Sequence, residues 1–294
     1  MTRDLAHRYI AGERLGDGLA VSQSLVQAGR TVSLDYLGER VTEEAEARTA
    51  AGIIRETLIR MGDHSLPCGI SVKPSQVGQL FAPRLCRELL EDLAVQAASV
   101  DVDDPGTDAG VHVTLDMEDS GVTEQTVSLT EELWRAGHRN VGCAVQTYLY
   151  RTQGDIERLS TLDGRAGASL RLCKGAYAEP PTVAYQKRAE VDANYVSCAE
   201  WLLRRGTYPR FATHDDRIID HLRNVAMRDG VDRDAFEFQM LYGVRPSLQE
   251  ALVRDGYRLR VYVPFGDQWY PYFMRRLAER PANLVFFLRS LRDT

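Results

Sequence analysis

The sequence is poor in the features that most quickly assign a chain to a class. Its five cysteines, Cys68, Cys86, Cys143, Cys173 and Cys198, are odd in number, and no two stand in a C-x-x-C spacing. That argues against a disulfide scaffold or a zinc ribbon and fits a reducing, cytoplasmic setting. The six histidines show no metal-ligand spacing, so no metal is expected. No stretch approaches the ~18 uncharged apolar residues of a membrane span. The opening residues, MTRDLAHRYIAGERLGDG, lack the apolar core of a signal peptide. There is no basic block either: 36 Lys and Arg against 42 Asp and Glu give a net charge of −6. A nucleic-acid partner held through its phosphates is therefore not expected. G-x-x-x-x-G-K-[ST], H-E-x-x-H and G-x-S-x-G are all missing.

What is present is alternation. With 44% apolar and 27% charged residues the chain is an ordinary globular one, and no Pro/Gly/Ser-rich linker divides it. Eight short β-rich runs recur at residues 31–37, 69–73, 111–116, 141–146, 169–174, 210–214, 235–240 and 258–264. Segments of helical periodicity separate them: 42–61, 84–98, 129–136, 182–204, 216–228 and 246–254. Thr42 is suited to cap the first of these, with Glu43, Glu44 and Glu46 near the positive end of the helix. The spacing lies near the ~30 residues of one βα unit. Eight such units predict a closed (β/α)8 barrel. A doubly wound open sheet is the competitor, but no G-x-G-x-x-G follows the first strand. After the eighth strand, residues 268–279 read as one more helix, and 281–289 as a further apolar stretch.

A barrel carries its chemistry at the C-terminal ends of its strands, and the rest of each strand is expected to be apolar. The strand ends here carry Asp35, Lys73, Asp116, Gln146, Arg171 with Lys174, His214, Glu237 with Gln239, and Tyr262. One polar strand end is ordinary. Eight in succession mark the rim as an active site, since each costs about 1–3 kcal/mol if buried unpaired. Taken singly, the same residues have plainer readings. His214 could belong to a helix cap formed through Asp215, and the Arg275–Arg276 pair to a solvated helix face. A charge on an inward strand face, as at Arg171, calls for an anionic partner. Lys174 before Gly175 also suits a Schiff-base aldolase.

Taken together, the motifs resemble those of proline dehydrogenases. R-L-C-K-G-A-Y at 171–177, F-A-T-H at 211–214, E-F-Q-M-L at 237–241 and Y-x-x-R-R at 272–276 carry the resemblance, with V-T-L-D at 113–116 and V-Q-T-Y at 145–148. It extends over nearly the whole chain and is to the monofunctional bacterial type. It implies a distorted (β/α)8 barrel with a C-terminal helix over its mouth, residues 1–294 forming one domain and 1–30 a short helical lead-in. It also implies noncovalent FAD, oxidation of L-proline to Δ1-pyrroline-5-carboxylate, and a membrane quinone as electron acceptor. The setting implied is cytoplasmic, with peripheral contact at the inner face of the membrane.

Matched residue by residue, the resemblance implies that Arg171 and Asp116 act at the reacting centre. Asp116, Met117, Gln146, Arg171, Lys174, Gly175, Ala176, Thr213 and His214 would contact the cofactor. Lys73, Arg275 and Arg276 would hold the substrate carboxylate, with Asp116 and Glu279 offsetting part of that charge. Tyr177, Leu241, Tyr262, Tyr272 and Glu279 would complete the substrate pocket. A relative acting on hydroxyproline or another secondary amino acid is the alternative within this resemblance. The bulk of Tyr262 leaves little room there for an added hydroxyl. Ala178 stands where many family members carry an aromatic that packs along the cofactor.

Overall fold

A computed structural model describes residues 6–107, 110–164 and 167–278. Eight parallel strands close on themselves in chain order: β1 (Thr31–Tyr36), β2 (Cys68–Val72), β3 (Val113–Leu115), β4 (Val141–Gln146), β5 (Leu170–Cys173), β6 (Arg210–Ala212), β7 (Glu237–Leu241) and β8 (Leu259–Phe265). The barrel is sealed by β8 against β1, paired from Thr31 with Arg260 to Tyr36 with Phe265. Helices follow the strands: α1 (Leu15–Gln27) precedes β1, and α2 (Glu44–Asp63), α3 (Pro83–Ala98), α4 (Thr123–Arg135), α5 (Thr152–Ser160), α6 (Arg188–Arg205), α7 (Asp216–Asp229) and α8 (Pro246–Arg254) form the outer ring. α9 (Trp269–Ala278) follows β8.

Strand alternation explains the packing. Val32 and Leu34 on β1, Ile70 and Val72 on β2, Leu170 and Leu172 on β5, and Val261 and Val263 on β8 all enter one large apolar core. Helix residues such as Ala47, Ile54, Leu58, Leu89 and Leu93 join them there. Each buried Leu, Ile or Val contributes about 1.5–3 kcal/mol relative to exposure. The positions between them point into the barrel. They include Ser33, Asp35, Ser71, Thr114, Asp116, Arg171, Arg210, Glu237, Gln239 and Arg260, all buried. The expectation that strands would be apolar except at their ends is thus overturned. The interior is polar at both ends of the barrel, because most of these side chains are hydrogen-bonded or ion-paired to one another.

Local readings fare unevenly. Thr42 does not cap α2: Glu43 occupies the N-cap position, and the Thr42 N–H donates to Glu46 Oε2 at 3.2 Å. α4 begins six residues before the expected helix at 129, and α6 starts later than the expected 182. α5 had no counterpart in the periodicity. Its nine residues bury Ile156 and Leu159 but offer few further apolar positions to count.

Candidate active site

The C-terminal ends of the strands open into a cavity of about 820 Å³, within the usual range for ligand pockets. Every residue to which the resemblance gives a role lines it, from Lys73 on the β2 side to Arg276 on α9, apart from Glu279, which lies outside the described residues, as does the 281–289 stretch. Of the strand-end residues, Asp35 and Glu237 do not line it.

The floor is a network of ions. Arg171 on β5 donates through Nη1 to Asp116 Oδ1 at 2.5 Å, through Nη2 to Ser71 Oγ at 2.8 Å and through Nε to Gln239 Oε1 at 2.6 Å. Asp116 Oδ2 accepts from the Tyr262 hydroxyl at 2.8 Å, and the Tyr262 ring lies 5.3 Å from the Arg171 guanidinium carbon. Burial and the carboxylates Asp116 and Asp35 hold the Tyr262 phenol far above its usual range, so it remains a donor. Tyr262 is therefore more than the steric wall foreseen: it also holds the Asp116 carboxylate. Beside it, Lys73 Nζ reaches both oxygens of Asp35 at 3.0 Å. Burial works against the Lys73 ammonium, yet Asp35, Asp116 and Glu118 outweigh it and raise its pKa.

The mouth is built by α9 and by chain that precedes β1. Arg275 Nη1 pairs with Glu39 Oε1 at 2.9 Å and stands over the Tyr177 ring, while Arg276 stands over Tyr272. Asp116 offsets part of the Lys73 charge, as expected, while the direct ion pairs lie elsewhere. Asp35 pairs with Lys73 and Glu39 with Arg275, whereas Asp116 is engaged by Arg171. Tyr9, Ile10, Leu37, Val244, Tyr272 and Phe273 pack into a separate apolar cluster over the opening. Backbone bonds Ala11 N–H to Pro264 O and Gly266 N–H to Gly12 O, each 2.9 Å, tie that segment to the end of β8 and the residue that follows it. Gly243, at φ +72°, is required there, since a Cβ would meet Arg8 O at 1.6 Å.

The outer arm of the cavity is lined by Lys174, Gly175, Ala176, Thr213 and His214, joined by Arg188, Asp215 and Arg217. Gly175 turns at φ +118° against the Tyr148 ring, where a Cβ would come within 2.3 Å. Lys174 Nζ sits between Asp192 Oδ1 at 2.5 Å and Asp215 Oδ2 at 3.4 Å. An ammonium held by two carboxylates is a poor amine nucleophile, which argues against the aldolase reading. The plainer reading of the A-T-H-D segment holds in part: Asp215 caps α7 by accepting from Arg217 N–H at 3.2 Å. His214 Nε2 accepts the Leu241 N–H at 3.0 Å. Gln146 donates to the Glu118 carbonyl at 2.8 Å.

Sequence reasoning missed Tyr9, Arg188, Arg217 and Arg245 as lining residues, because none lies on a strand end. It also misplaced Glu237. That residue opens β7 at the opposite end of the barrel, where its carboxylate takes Arg260 Nε at 2.7 Å and Arg210 Nη1 at 3.3 Å. The alternation of Glu237, Gln239 and Leu241 was readable, but the expected run began at 235, whereas β7 begins at Glu237 and so sets that residue at its N-terminal end.

Comparison with known proteins bears on the whole chain. A sequence model of the family described as Proline dehydrogenase matches residues 19–289. The chain is 36% identical over 290 residues to Proline dehydrogenase 1 of Bacillus subtilis, covering 99% of this chain and 91% of that protein. It is 38% identical over 293 residues to Proline dehydrogenase of Deinococcus radiodurans, covering 98% and 90%. Among solved structures, proline utilization A (PutA) from Bdellovibrio bacteriovorus, inactivated by N-propargylglycine, superposes with a TM-score of 0.84 at 26% identity. That match covers 94% of this chain and 32% of the larger PutA chain.

Proposed function

The chain belongs to the proline dehydrogenase family and oxidises proline, and from that premise we propose that it does so with noncovalently bound FAD, converting L-proline to Δ1-pyrroline-5-carboxylate and passing the electrons to a membrane quinone. The observation that carries this reading is the convergence, in one cavity, of a buried Arg171–Asp116–Tyr262 floor with Lys73, Arg275 and Arg276 on its wall.

The residues present fit a flavin dinucleotide. Lys174, Arg188 and Arg217 give the outer arm cations for a pyrophosphate, beside a Lys174–Ala176 turn that only glycine permits at its centre. Thr213, His214, Met117 and Gln146 would line the remainder. Bound there, the flavin would supply two-electron acceptance from the proline ring.

The chain's own groups do the positioning. Arg275 and Arg276, with Lys73, receive the substrate carboxylate through charge-assisted bonds, which fixes the amino-acid ring in register. Tyr177, Leu241, Tyr262 and Tyr272 enclose the ring and exclude water. Arg171, clamped by Asp116, Ser71 and Gln239, holds a positive charge at the floor, where it would offset the negative charge that the acceptor gains as the ring carbon gives up a hydride. Glu39 gives Arg275 a carboxylate partner within the protein. Among the described residues, no helix is long and apolar enough to cross a membrane. We propose that residues 1–294 form one domain, working in the cytoplasm and meeting the quinone by peripheral contact.

The test is the visible spectrum. The purified protein is expected to show a flavin band that proline bleaches without oxygen, and denaturation is expected to release the flavin into solution. N-propargylglycine, which inactivated the Bdellovibrio protein, is expected to inactivate this one. A colourless protein with no proline-dependent reduction would sink the reading.

A further inference from the structure

Of the three groups that clamp Arg171, one is a neutral amide that is itself held from behind. Gln239, on the inner face of β7, is 3% exposed and lies between Arg171 and Glu237, which are 4% and 0% exposed. Its Nε2 donates to Glu237 Oε1 and its Oε1 accepts from Arg171 Nε, both at 2.6 Å. Only one orientation of the amide is possible. Turned over, it would set its carbonyl against a carboxylate and its NH2 against a guanidinium. Glu237 is itself immobile, since Arg260 and Arg210 hold its Oε1 and the Tyr208 hydroxyl reaches Oε2 at 3.2 Å.

We propose that Gln239 is a positioning residue for Arg171: its amide, oriented by Glu237, sets the guanidinium plane at the floor of the substrate cavity. The proposal rests on the flavin dehydrogenase reading and extends it to a residue that acts through Arg171. Arg171 has five N–H donors. One goes to Gln239, one to Asp116, and two on Nη2 to Ser71 at 2.8 Å and Ser33 at 3.4 Å. One is left for a ligand, and its direction follows from the clamp.

The choice of an amide has a physical reason. A Glu at this position would pair with Arg171 directly and offset the positive charge needed when the reacting centre gains electrons. It would also face Glu237 across one hydrogen bond, so that one of the two carboxyls would hold a proton. Glutamine joins the ion cluster at the bottom of the barrel to the one at the top without carrying charge between them.

The test uses the flavin-loaded protein with Gln239→Met and Gln239→Glu. For Gln239→Met, the rate of flavin reduction at saturating proline is expected to fall about ten- to a hundredfold, with KM for proline within about twofold and flavin content retained. The reduction potential of its flavin is expected to shift downward. For Gln239→Glu, the reduction rate is expected to acquire an ionisation absent from the unmodified protein. The protonated form would imitate glutamine and be fast, and the deprotonated form slow. Unchanged reduction rate and potential in Gln239→Met would overturn the proposal, as would loss of rate and KM in parallel. If Gln239→Met fails to fold, the Gln239→Glu pH profile decides alone, and a profile matching the unmodified protein overturns it. A colourless unmodified protein overturns the flavin reading and this proposal together. A yellow, proline-bleached one with indifferent Gln239 variants overturns this proposal only.

Discussion

The two ends of the barrel contain nearly the same chemistry and put it to different uses. At the N-terminal end, Arg210 and Arg260 face Glu237 and Asp104, with Arg260 Nη2 2.6 Å from Asp104 Oδ1. At the C-terminal end, Arg171 and Lys73 face Asp116 and Asp35. Both sets are two cations against two carboxylates, fully or nearly buried. The lower set is closed on itself. Burial would raise the Glu237 pKa, but Arg260 and Arg210 depress it below the ordinary value, and the carboxylate stays charged. The upper set lies on the floor of the 820 Å³ cavity, beside cations on α9 that close over it. A buried charge is therefore no mark of function by itself. An opening and a donor left over are what distinguish the two.

The largest effect is expected at the closed end. Arg260→Ala strips both Glu237 and Asp104 of a partner and should cost about 3–5 kcal/mol of stability, measured by urea unfolding. The protein that remains folded should keep a near-normal KM for proline. A stable Arg260→Ala protein with a greatly raised KM would break the division between the ends.

At the open end the same kind of truncation should act on binding. Arg275→Ala or Arg276→Ala removes a charge-assisted bond worth about 1.5–3 kcal/mol, so KM for proline should rise roughly ten- to a hundredfold. Unfolding midpoints and flavin content should change little. Unaltered steady-state kinetics would remove these residues from the proposed carboxylate site.

Tyr262 sharpens the comparison, because it is both wall and donor. Proline should be preferred over trans-4-hydroxyproline by about 1–3 kcal/mol in kcat/KM. Tyr262→Ser should narrow that gap, mainly by weakening proline turnover. Tyr262→Phe keeps the ring and loses the bond to Asp116, so it should retain the preference at reduced turnover, a change of about 1 kcal/mol. An unmodified protein that favoured hydroxyproline would sink the substrate assignment.

The smallest effect belongs to the outer wall, where neither end is involved. Hydrogen bonds from Arg151 and Arg158 lower the Glu124 pKa from 4.5 to about 2. Its stabilisation is thus present above the unfolded pKa and lost as pH falls through the folded one. The pair is exposed, so Glu124→Gln should cost at most about 1 kcal/mol at pH 7. That difference should shrink steadily in thermal unfolding as the pH is lowered from about 5 toward about 2. A difference that stayed constant over that range would assign it to something other than charge.

Much of the site was readable because barrel strands end in polar residues at fixed phase. Lys73, Asp116, Gln146, Arg171, Tyr262 and the Arg275–Arg276 pair were all found that way or through the motifs around them. Others were not. Glu39 lies in a loop and finds Arg275 only because α9 folds back over the mouth. Tyr9 reaches the cavity through a segment with no periodicity to betray it. Arg188 and Arg217 sit in the first turns of α6 and α7, where a charged residue is ordinary.

By itself the sequence determined the eight strands, their parallel order and the chemistry at their ends. Strand alternation and βα spacing are local properties, and local properties survive in a linear text. Which carboxylate pairs with which cation was decided only by closure of the barrel. Asp116 meets Arg171 across 55 residues and Tyr262 across 146, and Glu237 is drawn to the bottom by Arg260 rather than to the cavity. A buried charge must find its counter-ion wherever the fold provides one, and that choice is made in three dimensions.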